Sequence, residues 1–279
     1  MQKTNTAKQS KAESERTNPV QLRKADEAVR EAEPQIHVFG RGAICDTDTR
    51  GYATPRNRSP AEIVVDASEG FIPLWANDTT LRWRFQERSM NFFEDPAAAK
   101  TWIEGLLSDA ILAWGDAVPI QFTNRDDAWD FEIVMRDTDR CYNNGCVLAS
   151  AFFPDAGRHE LVLYPKMFDR SRDDQVDTLI HEIGHVFGLR HFFAQVSETG
   201  SAAELFGRQD SFTIMNYGYQ AQLTDADKAD LKRLYETARN GTLTRINGTP
   251  IRLVRPFHTI ARSPENTVAV GPVQAVFQP

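Results

Sequence analysis

No stretch of this chain stays apolar for the roughly 20 residues that a membrane-crossing helix requires, so no membrane span is expected. Met1 to Gln35 also lacks the apolar core of a secretory leader, and no Sec address is visible in the sequence. Cysteine is scarce: three in 279 residues exclude a small fold stapled by many disulfides. Cys141 and Cys146 can bridge across Tyr-Asn-Asn-Gly, which leaves Cys45 odd. Clustered positive charge is missing too, since 32 Lys and Arg stand against 39 Asp and Glu in short groupings, for a net charge of −7. That argues against nucleic acid as a partner, because phosphate recognition needs concentrated positive charge. The acidity most simply serves solubility.

What is present is enough apolar content, 41%, for a sizeable core in one large or two small domains. One stretch concentrates chemistry: His181-Glu182-Ile183-Gly184-His185-Val186-Phe187-Gly188-Leu189-Arg190-His191. On a helix, four residues turn through about 400°, so His181 and His185 project from one face a turn apart and can share a metal ion. Glu182, one step round, can reach a water there without being an equal ligand, which suits a general base. A continued helix would put His191 about 15 Å along the axis from His181, too far for one ion. The chain must turn back, and Gly188 can adopt the left-handed conformation that ends a helix.

The pattern H-E-x-x-H-x-x-G-x-x-H resembles the metzincin clan of zinc endopeptidases. The resemblance implies one catalytic zinc held by His181, His185 and His191, with Glu182 as base, and hydrolysis of peptide bonds in an extended peptide or protein. It also implies an α+β, zincin-like fold: a twisted mixed β-sheet with long helices, a zinc helix and a Met-turn. The segment Ser211-Phe212-Thr213-Ile214-Met215-Asn216-Tyr217-Gly218 resembles that turn. Met215 would form the apolar floor of the zinc site. Tyr217 is similar to the tyrosine of astacins and serralysins, and the similarity implies a phenol beside the zinc that stabilises the oxyanion.

Along the chain, residues 1 to about 35 are polar and read as disordered, with a short helix over Val20 to Ala32. Gly40 to Pro60 reads as a pro-segment or a linker. Strands are expected at Ala61 to Ala67, Leu81 to Phe85, Pro119 to Thr123, Phe131 to Arg136, Val147 to Pro154 and Glu160 to Tyr164. Asp95-Pro96 opens a long helix whose apolar stripe includes Trp102, Ile103, Leu106, Leu107, Ala110, Ile111 and Trp114. Ser171 caps the histidine-bearing helix, a loop follows His191, and Leu223-Thr224-Asp225 opens a last helix. The domain division expected is an N-terminal region 1–68, disordered or pro-segment-like, a catalytic domain 69–239, and an extension 240–279 of unknown role.

Residues 80 to 240, with A-W-G-D-A-V-P-I-Q-F and L-A-S-A-F-F-P, resemble a matrixin catalytic domain. In that family the strand matching Val147 to Phe153 is the sheet edge that pairs with substrate. Ser150 stands in place of a structural-zinc histidine, and Cys141 and Cys146 replace the H-x-D run, so a second zinc is not expected. His159 reads as a solvated histidine. Calcium is a further expectation, from the carboxylates of Asp137, Asp139, Asp155 and Asp169 to Asp174. Cys45 has two readings: a latency ligand like the matrixin pro-segment cysteine, or an ordinary thiol, since R-G-A-I-C-D matches the family motif loosely. The rivals to a general protease are an idle metzincin that binds a protein partner and a self-cleaving regulatory protein. The resemblance implies work outside the cytosol, and oligomeric state is left open.

Overall fold

The computed structural model of the chain describes residues 38–39, 43–45, 47, 63–67, 70–142, 145–191, 203–206, 213–215 and 221–260. The helix expected over Val20 to Ala32 and the tyrosine at 217 lie outside them. The fold is mixed α/β. Its main sheet has five strands in the order Ala149–Ser150, His159–Leu163, Phe131–Met135, Thr80–Phe85 and Gln121–Asn124. All neighbours are parallel except the Ala149–Ser150 edge, which runs antiparallel to His159–Leu163. In Thr80–Phe85 the alternation of the sequence is kept, with Leu81, Trp83 and Phe85 buried. Phe131–Met135 is buried throughout, as a central parallel strand covered on both faces should be.

Three long helices pack with this sheet. Pro96–Trp114 begins where Asp95 accepts hydrogen bonds from the amides of Ala97 and Ala98, both at 3.0 Å, and proline at the next position costs no hydrogen bond. Its stripe of Ile103, Leu106, Leu107, Ala110 and Trp114 is buried, with Trp102 and Ile111 partly buried beside it. The histidine-bearing helix Arg172–Val186 is capped by Ser171, which accepts from Asp174 N at 3.2 Å. Leu179, Ile180, Ile183 and Phe187 bury its apolar face. The last helix, Asp225–Arg239, opens with a reciprocal Thr224–Asp227 capping box.

Several elements differ from the expectation. The strand expected over Val147 to Pro154 is two short ones, Gly145–Val147 and Ala149–Ser150, which serve different sheets. Ala203–Phe206, within the loop expected after His191, is a strand antiparallel to Ile63–Asp66. Ile72–Trp75 is a strand although Pro73 argues against one. It lies at the edge of its sheet, where a missing amide hydrogen is tolerated, and it pairs in parallel with Thr249–Val254. Within residues 240–260, the described part of the C-terminal extension, that pairing joins it to the body. It is fixed again where His258 donates from its amide and Nδ1 to the buried Asp130 carboxylate, both at 2.8 Å. Among the described residues no helix is long and apolar enough to cross a membrane.

Candidate metal centre

His181 and His185 face the same side of their helix because they are one turn apart, and the helix ends just beyond them. Gly188 takes φ +91°, its amide bonds back to His185 O at 2.8 Å, and the chain reverses through Leu189–Arg190 to His191. A Cβ at Gly188 would also meet Pro73 O at 3.2 Å, so the turn needs glycine for conformation and for space. The reversal brings His191 Nε2 to 3.1 Å from His181 Nε2, and His185 Nε2 lies 3.1 Å from His181 Nε2. All three histidines are fully buried.

The orientation of two rings is held from behind. His181 Nδ1 bonds to Ile214 O and His185 Nδ1 to Leu189 O, both at 2.8 Å. A carbonyl only accepts, so both Nδ1 atoms carry the hydrogen and both Nε2 atoms present lone pairs to the centre. Two lone pairs 3.1 Å apart repel unless a cation lies between them. A tetrahedral ion with bonds of 2.0–2.1 Å to nitrogen sets ligand nitrogens about 3.3 Å apart, close to what is found. The donor set thus fits zinc.

Cys45 completes the group. Its sulfur lies 3.5 Å from His185 Nε2, near the roughly 3.6 Å that a tetrahedral zinc imposes between sulfur and nitrogen ligands. Cys45, His181, His185 and His191 each offer one atom that could bind a metal ion, and these atoms all fall within 4.8 Å of one another. Burial pushes the Cys45 thiol well up, with the Glu182 charge adding to it and His191 opposing. The sulfur also lies 3.4 Å from Glu182 Oε1.

Glu182 is 1% exposed, and its second oxygen accepts from Thr47 Oγ1 at 3.1 Å. Thr47 Oγ1 in turn accepts the amide of Ala151, next to the edge strand Ala149–Ser150, at 3.0 Å. Ala43–Ile44 pairs in parallel with Gly145–Val147, and the hairpin that supplies this strand is closed by the Cys141–Cys146 disulfide. Cys45 and Thr47, just beyond that pairing, therefore reach the glutamate and the histidines together. Thr47 carried no motif in the sequence. Nor does any motif mark Arg190, which is fully buried; its guanidinium lies 5.8 Å from the Phe153 ring, which stands edge-on to His185.

Met215 is buried, and its sulfur packs against Gly184, between the two helical histidines: a Cβ on Gly184 would come within 2.5 Å of it. The turn that carries it is tied to the last helix by Asp227, which bonds to the Thr213 hydroxyl and the Ile214 amide; burial pushes that carboxyl up and these bonds oppose the shift. Gly184→Ala should gain about 1 kcal/mol of helix propensity but lose about 1–3 kcal/mol to overpacking. A net destabilisation of up to about 2 kcal/mol is expected in denaturant unfolding. A gain in stability would mean that Met215 moves aside freely.

The carboxylates expected to hold calcium are not gathered. Among the described residues no second group of three or more His, Cys, Asp or Glu side chains converges, and the calcium expectation finds no support. Asp139 accepts the Lys166 amide at 2.7 Å, Asp169 pairs with Lys166 Nζ at 2.9 Å, and Asp155 caps Gly157 N. His159, expected to be solvated, is half-buried and stacks on Phe152 with ring centres 4.4 Å apart.

No family model and no curated protein matches the chain. Among solved structures, one of myroilysin aligns with 62% of this chain and 98% of its own at 13% identity and a TM-score of 0.42. A second myroilysin crystal structure aligns with 76% and 99% at 12% identity, TM-score 0.43. High choriolytic enzyme 1, a hatching-enzyme zinc protease from the medaka fish Oryzias latipes, aligns with 66% and 98% at 13% identity, TM-score 0.38. Likenesses this weak carry no weight for function.

Proposed function

We propose that the protein is a zinc-dependent metalloendopeptidase of metzincin type, held latent by its own residues 43–47. The observation that supports this reading is the convergence of three buried imidazoles, two with their lone pairs fixed by carbonyls behind them, on one point beside a buried carboxylate. His181, His185 and His191 would hold the zinc. Bound there, zinc would polarise the scissile carbonyl and acidify the attacking water. Glu182 takes the proton of that water and passes it to the nitrogen of the leaving amine. The edge at Ala149 to Ala151 offers backbone groups to an extended substrate, in the manner of strand addition. Met215 closes the site from below as an apolar floor, and Tyr217 donates from its phenol to the oxyanion.

Latency follows from the same contacts. Cys45 sulfur takes the fourth ligand position, Thr47 occupies Glu182 and the Ala151 amide, and substrate can enter only when the segment leaves. On this reading 1–68 carries the inhibitory contacts and 69–239 is the catalytic domain. The Cys141–Cys146 bond favours an oxidising compartment. If alkylation of protein taken directly from cells finds both thiols reduced, that placement is wrong.

The test is cleavage of a peptide library by zinc-loaded protein after limited proteolysis of the N-terminal segment. Peptide bonds should be cut, and Tyr217→Phe should lower kcat by about 10²–10³ with KM nearly unchanged, as for loss of an oxyanion donor. Folded protein that binds one zinc per chain yet cuts no peptide would overturn the peptidase reading.

A further inference from the structure

The third histidine is useful only if the turn after the helix is held in one place, and the helix end has unpaired carbonyls that must be satisfied. Two of them are met by side chains distant in sequence. Trp75 donates from its indole to Val186 O at 2.7 Å, and the Tyr235 hydroxyl donates to Phe187 O at 3.0 Å. The same hydroxyl accepts the amide of Trp75 at 3.3 Å, so it bridges the strand Ile72–Trp75 and the helix end. Pro73 O packs against Gly188, the residue that reverses the chain. Three successive residues of the turn, 186 to 188, are thus contacted by one strand and one phenol.

That strand is held in its turn by the C-terminal region. Thr249–Val254 pairs with it in parallel, and Ala76 N bonds to Val254 O at 2.9 Å. Arg239 donates to Trp75 O and Ala76 O at 2.9–3.2 Å and lies 4.7 Å from the centre of the Tyr235 ring. Tyr235 is 2% exposed and Trp75 is fully buried, so water cannot replace either bond. Burial pushes the Tyr235 phenol up and keeps it a donor.

We infer that Tyr235, with Trp75, is a positioning residue for the metal centre: its hydroxyl locks the turn at 186–188 and so sets where His191 meets the ion. The inference rests on the metal reading above and adds a residue from the last helix that touches no ligand. Removing the hydroxyl leaves Phe187 O and Trp75 N without their shared partner inside the core, and the turn relaxes to satisfy them. The ligand that moves most is His191, three residues beyond the turn, whereas the backbone of His181 and His185 is fixed within the helix.

The experiment uses the full-length chain loaded with cobalt(II), whose visible bands report the ligand set. Tyr235→Phe should fold, shift those bands and release cobalt to a chelator about tenfold faster, the lower range for groups that orient metal ligands. Trp75→Phe should move both readouts in the same direction. Leu231→Ala, a fully buried position on the same helix, should lower Tm more than the loss of one hydroxyl but leave bands and release rate as in the parent. Parent-like bands and release in Tyr235→Phe, or an equal change in Leu231→Ala, would overturn the positioning role alone. A parent chain that takes up no cobalt would overturn the metal reading and this inference with it.

Discussion

Replacing Glu182 by alanine should leave one zinc per chain and reduce peptide hydrolysis by at least about 10²-fold, the lower range for loss of a general base. The ligand set is independent of this carboxylate, since the rings of His181 and His185 are oriented by Ile214 O and Leu189 O. In the full-length chain the substitution has a second effect, because Cys45 and Thr47 both bond to Glu182 and would hold the inhibitory segment less firmly. The two effects oppose each other, and loss of the base dominates: a segment that leaves more readily exposes a centre that cannot move the proton. Glu182→Gln separates them, because an amide oxygen still accepts from Thr47 but takes no proton from water. Metal content by atomic absorption and hydrolysis of one peptide found in the library decide the matter. Undiminished turnover in either variant removes Glu182 from the mechanism.

Cys45→Ser should raise the activity of the untrimmed chain by at least about tenfold, the equivalent of about 1.4 kcal/mol, because the sulfur–zinc contact that would hold the segment is lost. Serine keeps the size of the side chain but is a poor zinc ligand at neutral pH. The pairing of Ala43–Ile44 with Gly145–Val147 and the Thr47 contacts remain, so activation should be partial. Trimmed protein should be indifferent to the substitution, since the residue is then gone. Equal activity of Cys45→Ser and parent before and after trimming would show that the sulfur near His185 is an ordinary buried thiol.

The features that the sequence alone specified are those governed by short-range geometry. The helical period aligns His181 with His185, Gly188 is the residue able to take φ +91°, and Asp95, Ser171 and Thr224 cap helices because their side chains reach amides two or three residues on. In each case the partners are within a few residues, so the pattern can be read directly. The parity of the cysteines marked Cys45 as odd but left it with two readings.

What only the tertiary structure decided depends on contacts between residues far apart in the chain, 48 positions for Tyr235 and Phe187 and 135 for Thr47 and Glu182. Nothing near Thr47 indicates that its hydroxyl meets Glu182, and nothing near Tyr235 indicates that it closes the end of the histidine-bearing helix. Pro73 concealed the strand at 72–75, because proline is excluded from central strands and the edge position of this one is a property of the assembled sheet. Local preferences act through neighbouring dihedrals and recur wherever the residues recur. A buried hydrogen bond across the fold is fixed only by how whole elements pack, and that packing placed the sulfur and the threonine beside Glu182 and the tyrosine at the end of the histidine-bearing helix.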